Sequence, residues 1–114
     1  MNILIVEDEY IIGLDLKLFL VSKGHNVIGI TGFGEEAVRL ALKEKPDMVL
    51  MDINLDGNLN GIEAADIIHK HIPCKILFIT GQSDMSSIKQ VEETGYQLLF
   101  KPYDKHKLES FIAQ

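Results

Sequence analysis

The sequence predicts an α/β fold, a single (βα)5 domain over residues 1–114 with a doubly wound, parallel five-stranded sheet. Three observations carry this. Short apolar runs alternate with helical patterns from end to end, and neither a linker nor an internal repeat interrupts them. The runs are continuously apolar, as strands covered on both faces are. Strands that alternate with helices join as right-handed βαβ units around a parallel sheet.

Each element has its own warrant. Ile3 to Val6 is the first strand, entered directly from the N-terminus. Ile12, Leu16, Phe19 and Leu20 share one helical face, and Gly24 is placed as a C-terminal stop. Val27 to Ile30 is the second strand, weakened by Gly29, and Ala37, Leu40 and Ala41 mark a second helix ended by Pro46. Met48 to Met51 is the third strand. Ile62, Ala65 and Ile68 mark the third helix, with His69, Lys70 and His71 in its last turn and Pro73 beyond. Ile76 to Ile79 is the fourth strand, followed by a polar helix marked by Met85, Ile88 and Val91 and closed by Gly95. Leu98 to Phe100 is the fifth, and Leu108, Phe111 and Ile112 mark the last helix.

Composition narrows the function classes. Seventeen acids against eleven basic residues give a net charge of −6, which argues against a nucleic-acid or anionic-membrane surface. It suits a cation site, although acidic solubility is the commoner reason. No secretory signal precedes the first strand, and no apolar run approaches the ~20 residues of a membrane span. The single cysteine, Cys74, makes no internal disulfide, so a cytoplasmic location is expected.

The chemistry lies where the strands end. The first run stops at Glu7 and Asp8, the third at Asp52, the fourth at Thr80 and the fifth at Lys101. In an open parallel sheet these ends share one edge, where ligands bind. An aspartate at a strand-to-loop junction is often only a turn residue. A charge delivered by an apolar run nevertheless needs a cation, a proton or water beside it. Three clustered carboxylates raise one another's pKa unless a cation sits among them. Hard oxygen donors with room for water favour Mg²⁺. Lys101 adds a compact positive charge able to hold a carboxylate or phosphate, Thr80 a hydroxyl, and Gly81 an amide no side chain obstructs. Such a set suits in-line phosphoryl transfer with a carboxylate as nucleophile.

Other polar residues have simpler readings. Glu7 and Asp8 also fit an acidic first turn of a helix, Glu9 a solvated or capping acid, and Asp56 a turn residue beside Gly57. His25, His69, His71 and His106 lack zinc-ligand spacing. Cys74 is a small residue entering the fourth strand. The TGFGEE stretch, Thr31–Glu36, lacks a P-loop lysine and reads as a βα turn.

Over its whole length the chain resembles the receiver domain of two-component response regulators. The matching stretches are ILIVEDE at Ile3–Glu9, DMVLMDINL at Asp47–Leu55, GIEAA at Gly61–Ala65, ILFITGQSD at Ile76–Asp84 and FKPYD at Phe100–Asp104. The resemblance implies a chemotaxis-regulator-like, flavodoxin-like sheet of strand order 2-1-3-4-5. It implies Asp52 as phosphoacceptor, receiving its phosphoryl group from a sensor histidine kinase or a histidine phosphotransfer protein. Asp8 and Asp52 would bind Mg²⁺ directly, Glu7 through water, and Asn54 through its backbone carbonyl. Thr80 and Gly81 would contact the phosphoryl group, Lys101 would pair with Asp52 or its phosphate, and the Lys101–Pro102 bond would be cis. A downstream effector, or an output domain on a longer chain, would read the signal. These 114 residues are expected to hold no DNA-binding or catalytic output segment, whether the receiver acts alone or is part of a longer chain.

The chain departs from the family pattern in two places. The loop INLDGNLNG after Asp52 lacks the usual proline and is one residue longer. Leu98 stands where receivers carry an aromatic switch residue three positions before the lysine, and Tyr96 is the nearest aromatic, so the switch surface is expected to be rearranged. Three rivals remain. A Mg²⁺-dependent aspartyl-phosphate phosphatase wants D-x-D after the first strand, where the chain has V-E-D-E. A flavodoxin-type cofactor binder wants a Ser/Thr/Gly phosphate loop there. A pseudo-receiver would bind partners without being phosphorylated.

Overall fold

The computed structural model describes residues 1–55, 57–81 and 85–113; Asp56 and the end of the ILFITGQSD stretch, Gln82 to Asp84, lie outside the described residues. The elements run β1 (Asn2–Val6), α1 (Tyr10–Ser22), β2 (Asn26–Thr31), α2 (Gly34–Glu44), β3 (Met48–Met51), α3 (Gly61–His71), β4 (Lys75–Thr80), α4 (Met85–Thr94), β5 (Gln97–Phe100) and α5 (Lys105–Ala113). The sheet is parallel throughout, in the order β2-β1-β3-β4-β5. Gly29 does not shorten β2. It coincides with a register shift against β1.

Alternation along the buried strands divides the core in two. Leu4, Val6, Val49, Met51, Ile76 and Phe78 face α2 and α3, together with Val91 of α4. Ile3, Ile5, Met48, Leu50, Leu77 and Ile79 face Leu16 and Leu20 of α1 and Leu108 and Ile112 of α5. With helices on both faces, every position between the first and last residue of each strand is apolar or glycine.

Helix ends follow backbone chemistry. Gly24 and Gly95, at φ +88° and +83°, take the left-handed conformation after α1 and α4 that glycine allows. Lys45 does the same after α2, just ahead of Pro46. Asn60 caps α3: its side chain accepts from the Glu63 N–H while the Glu63 carboxylate accepts from the Asn60 N–H.

Ile88 and Val91 are the buried residues of α4, and Met85 at its start is 71% exposed. One expectation is corrected. Glu7 and Asp8 do not form an acidic first turn, because α1 starts at Tyr10 with Glu9 at its N-cap and no acid inside its first turn.

Candidate functional site

The strand ends converge as the topology requires. β1 and β4 flank β3, so the residues after Val6, Met51 and Thr80 share one edge, and β5 brings Lys101 beside them. Glu7, Asp8 and Asp52 each offer a carboxylate oxygen, and these lie within 4.8 Å of one another. Glu7 and Asp52 are buried and Asp8 is exposed, so the cluster has a dry floor and an open side. Thr80, at the end of β4, is 1% exposed.

Lys101 sits between two of the acids. Its Nζ is 2.8 Å from Glu7 Oε1 and 3.0 Å from Asp52 Oδ2. The Asn54 N–H donates to Asp52 Oδ1 at 3.2 Å. Both oxygens of Asp52 are therefore engaged, and the carboxylate is held in one orientation. The Lys101–Pro102 bond is cis, as the resemblance implies.

Electrostatics expose an imbalance. Burial, aided by the charge of Asp52, pushes the Glu7 carboxyl up to about 7 despite the hydrogen bond from Lys101. Dehydration thus outweighs the acid–acid repulsion expected from the sequence. Burial alone would lower the Lys101 ammonium, but its bonds to Glu7 and Asp52 prevail and raise it. A buried acid that one lysine leaves half-protonated near neutrality fits a site designed for a second cation. All-oxygen donors, one of them solvent-facing, fit Mg²⁺. Among the described residues, nothing lies within 4 Å of a Cβ added at Gly81.

Tyr96, just ahead of β5, and Leu98 within it pack against the same core cluster. Leu98 pairs with Phe78 and is partly buried. The Tyr96 ring packs edge-on against Phe78 at 5.6 Å and against His69 of α3 at 5.7 Å. It lines a groove between α3 and α4 with Ile62, Asp66 and Gln90. The aromatic near the switch position therefore leans toward α3.

Glu35, which no sequence feature singles out as part of the site, reaches the loop after Asp52 from α2, with a signal too distant in the chain to read.

The sequence profile of the response regulator receiver domain matches residues 3–113. The chain belongs to that family. It is 33% identical to the phyllosphere-induced regulator PhyR of Methylorubrum extorquens over 99% of the chain and 42% of that protein. It is 35% identical to the transcriptional regulatory protein PdtaR of Mycobacterium tuberculosis over 90% of the chain and 50% of that protein. The chain thus spans about half the length of these curated relatives. Among solved structures, the signal receiver domain of a modulated diguanylate cyclase from Desulfovibrio desulfuricans matches with a TM-score of 0.91 and 34% identity, covering 98% of this chain and 90% of that one. Phosphorylation and Mg²⁺ binding at an acidic pocket are typical of receiver domains, as are histidine kinases, phosphotransfer proteins and effector domains as partners. Receiver domains are generally not enzymes themselves. Among the described residues no helix is long and apolar enough to cross a membrane.

Proposed function

We propose that this receiver accepts a phosphoryl group on Asp52 in a Mg²⁺-dependent reaction and changes its affinity for a cytoplasmic partner as a result. The observation that carries the reading is the Asp52 carboxylate, buried at a strand end and held by Lys101 and the Asn54 amide beside two further acids. In the reaction an Asp52 oxygen forms a bond to phosphorus as the donor's N–P bond breaks, and the imidazole nitrogen keeps the electron pair. Asp8, Asp52 and the Asn54 carbonyl, with Glu7 behind, would hold Mg²⁺, whose charge would offset that on the phosphoryl oxygens. Thr80 and the Gly81 amide meet the phosphoryl group from the β4 side, and Lys101 holds it from β5.

The phosphodonor docks on α1 in this reading. Ile11, Leu14, Leu18 and Val21 form an exposed apolar stripe at spacings of three and four, and Tyr10 and Ile11 follow directly on the acidic cluster. A groove of about 400 Å³ between Ile11, Asp15, Pro102 and Tyr103 continues the surface to Lys101. α1 carries this apolar stripe on its solvent side in addition to the buried Leu16 and Leu20, and a contiguous exposed apolar face marks an interaction surface. On the output side, Tyr96 and Leu98 replace the usual aromatic switch with a route toward α3.

Intact-protein mass after treatment with acetyl phosphate tests the reading. One phosphoryl group should be added only with Mg²⁺ and not to Asp52→Asn. Mg²⁺ binding with no mass addition, to this protein or from a cognate kinase, would instead establish a pseudo-receiver.

A further inference from the structure

The turn Thr31–Glu36 touches the acidic cluster from behind and the loop after Asp52 from the side. The Thr31 carbonyl accepts from the Glu7 N–H at 2.8 Å. A Cβ on Gly32 would stand 3.0 Å from Asp8 Cα, so the turn lies flush against the second acid. A Cβ on Gly34 would stand 2.5 Å from the Leu59 carbonyl oxygen. From this close approach Glu35 reaches across. Its Oε1 accepts from the Asn58 N–H at 2.7 Å and the Leu59 N–H at 2.6 Å. Gly57, at φ +90°, passes directly beneath the same carboxylate: a Cβ there would be 2.8 Å from Glu35 Oε2.

This contact has a consequence for the site. The loop joining β3 to α3 carries Asn54, whose N–H orients Asp52. One end of the loop is fixed where Gly61 donates to the Ile53 carbonyl at 2.8 Å. The stretch from Gly57 to Leu59 has no strand or helix hydrogen bonding of its own. Two charge-assisted bonds to one oxygen, each shorter than an ordinary N–H···O bond, fasten it to α2 instead.

We propose that Glu35 is a positioning residue for the phosphoacceptor site: tying Asn58 and Leu59 to the start of α2, it fixes the loop that carries Asn54 and so sets Mg²⁺ affinity and the rate of phosphorylation. The inference rests on the reading of Asp52 as phosphoacceptor. Outer groups that orient metal ligands typically govern affinity or activity by about 10–100-fold, and a ligand misplaced by ~1 Å has a comparable effect on rate.

The test compares Glu35→Ala and Glu35→Gln with the unaltered protein. Amide hydrogen exchange at Asn54, Asn58 and Leu59 is read without metal, Mg²⁺ affinity by calorimetry, and phosphorylation by intact mass at saturating Mg²⁺. Glu35→Ala should speed exchange at all three amides, weaken Mg²⁺ and slow phosphorylation, the last two by about 10-fold. Glu35→Gln, whose amide oxygen still accepts both bonds, should stay within about two-fold on the same scale. Faster exchange in Glu35→Ala with unchanged Mg²⁺ affinity and rate would make the contact purely structural and overturn the proposal. So would exchange no faster than in the unaltered protein. If the unaltered protein itself neither binds Mg²⁺ nor takes a phosphoryl group, the reading of the site falls and the proposal with it.

Discussion

Gly61 is where the phosphoacceptor strand and α3 come closest, and Gly61→Ala measures how tightly they are joined. The added Cβ would lie 1.9 Å from the Asp52 carbonyl oxygen, 2.8 Å from its carbon and 2.9 Å from Ile53 Cα. Ordinary contact needs about 3.5 Å, so backbone must part by roughly 1.5 Å. No flexible side chain can absorb this, since every obstructing atom is main chain. Overpacking of this kind costs about 1–3 kcal/mol, and losing the buried Gly61 N–H bond to Ile53 adds about 1 kcal/mol. Alanine's better helix propensity returns at most ~1 kcal/mol, less at a first helical position. A net loss of about 2–3 kcal/mol lowers a urea midpoint by about 1–2 M at ordinary m-values. Far-UV circular dichroism is the assay, because the chain has no tryptophan. Gly81→Ala, whose Cβ meets nothing within 4 Å, is the control and should unfold close to the unaltered protein. A Gly61→Ala midpoint equal to that of the control would refute the packing argument.

Two further predictions concern charge and docking. The Glu7 carboxyl is raised to about 7, above its ordinary value, so the folded state holds this proton more tightly. Its contribution to stability is therefore full below about pH 4.5 and is lost as pH rises to about 7. In EDTA, Glu7→Gln should flatten that window and be the more stable protein at pH 8, by roughly 1–3 kcal/mol; parallel urea-midpoint profiles between pH 4 and 8 would refute it. Leu18→Glu, at a position 61% exposed, should leave stability within about 0.5 kcal/mol and the acetyl phosphate reaction unchanged, yet abolish transfer from a phosphorylated histidine donor. Unimpaired transfer would move the docking surface off α1.

The fold was legible because its strands are buried on both faces. Met48–Met51 admits no alternation, so the reading of a covered parallel strand survives without any help from tertiary structure. The cluster was legible for a related reason: once the topology is parallel, Glu7, Asp52, Thr80 and Lys101 share an edge whatever the helices do. The capping pair Asn60-x-x-Glu63 went unread in the sequence, although the structure forms it in full. Helix spacing marked α4 but did not say which of its apolar residues are covered: Ile88 and Val91 are buried and Met85 is exposed. The Tyr96 ring direction depends on the gap between β4 and α3, which no periodicity encodes. Glu35 was hidden because it pairs with backbone amides 23 and 24 residues away, and amides carry no side-chain signature.

Charge balance links the site's geometry to its proposed cycle. Three carboxylates and one ammonium within contact of one another leave two negative charges uncompensated when all are ionised. The metal-free protein relieves this by holding a proton near Glu7, as the raised carboxyl shows. A divalent cation cancels the excess outright and releases that proton, so Mg²⁺ binding should strengthen as pH rises through about 7. Phosphorylation then replaces a singly charged carboxylate with a phosphoryl group of about −1.5 to −2, restoring an excess of up to one negative charge. The ammonium of Lys101, already within reach of Asp52, is the fixed countercharge for it. What remains must be met by neutral donors, and Thr80 and the Gly81 amide are the ones on the neighbouring strand end. A movement of Thr80 toward the phosphoryl group would open space beside Phe78, its neighbour two residues back on the same strand face. Leu98 pairs with Phe78, and the Tyr96 ring rests against it. In this chain that disturbance would reach α3 through Tyr96 and His69, whose rings meet at 5.7 Å, so that the proposed phosphoryl chemistry would not need an aromatic at position 98.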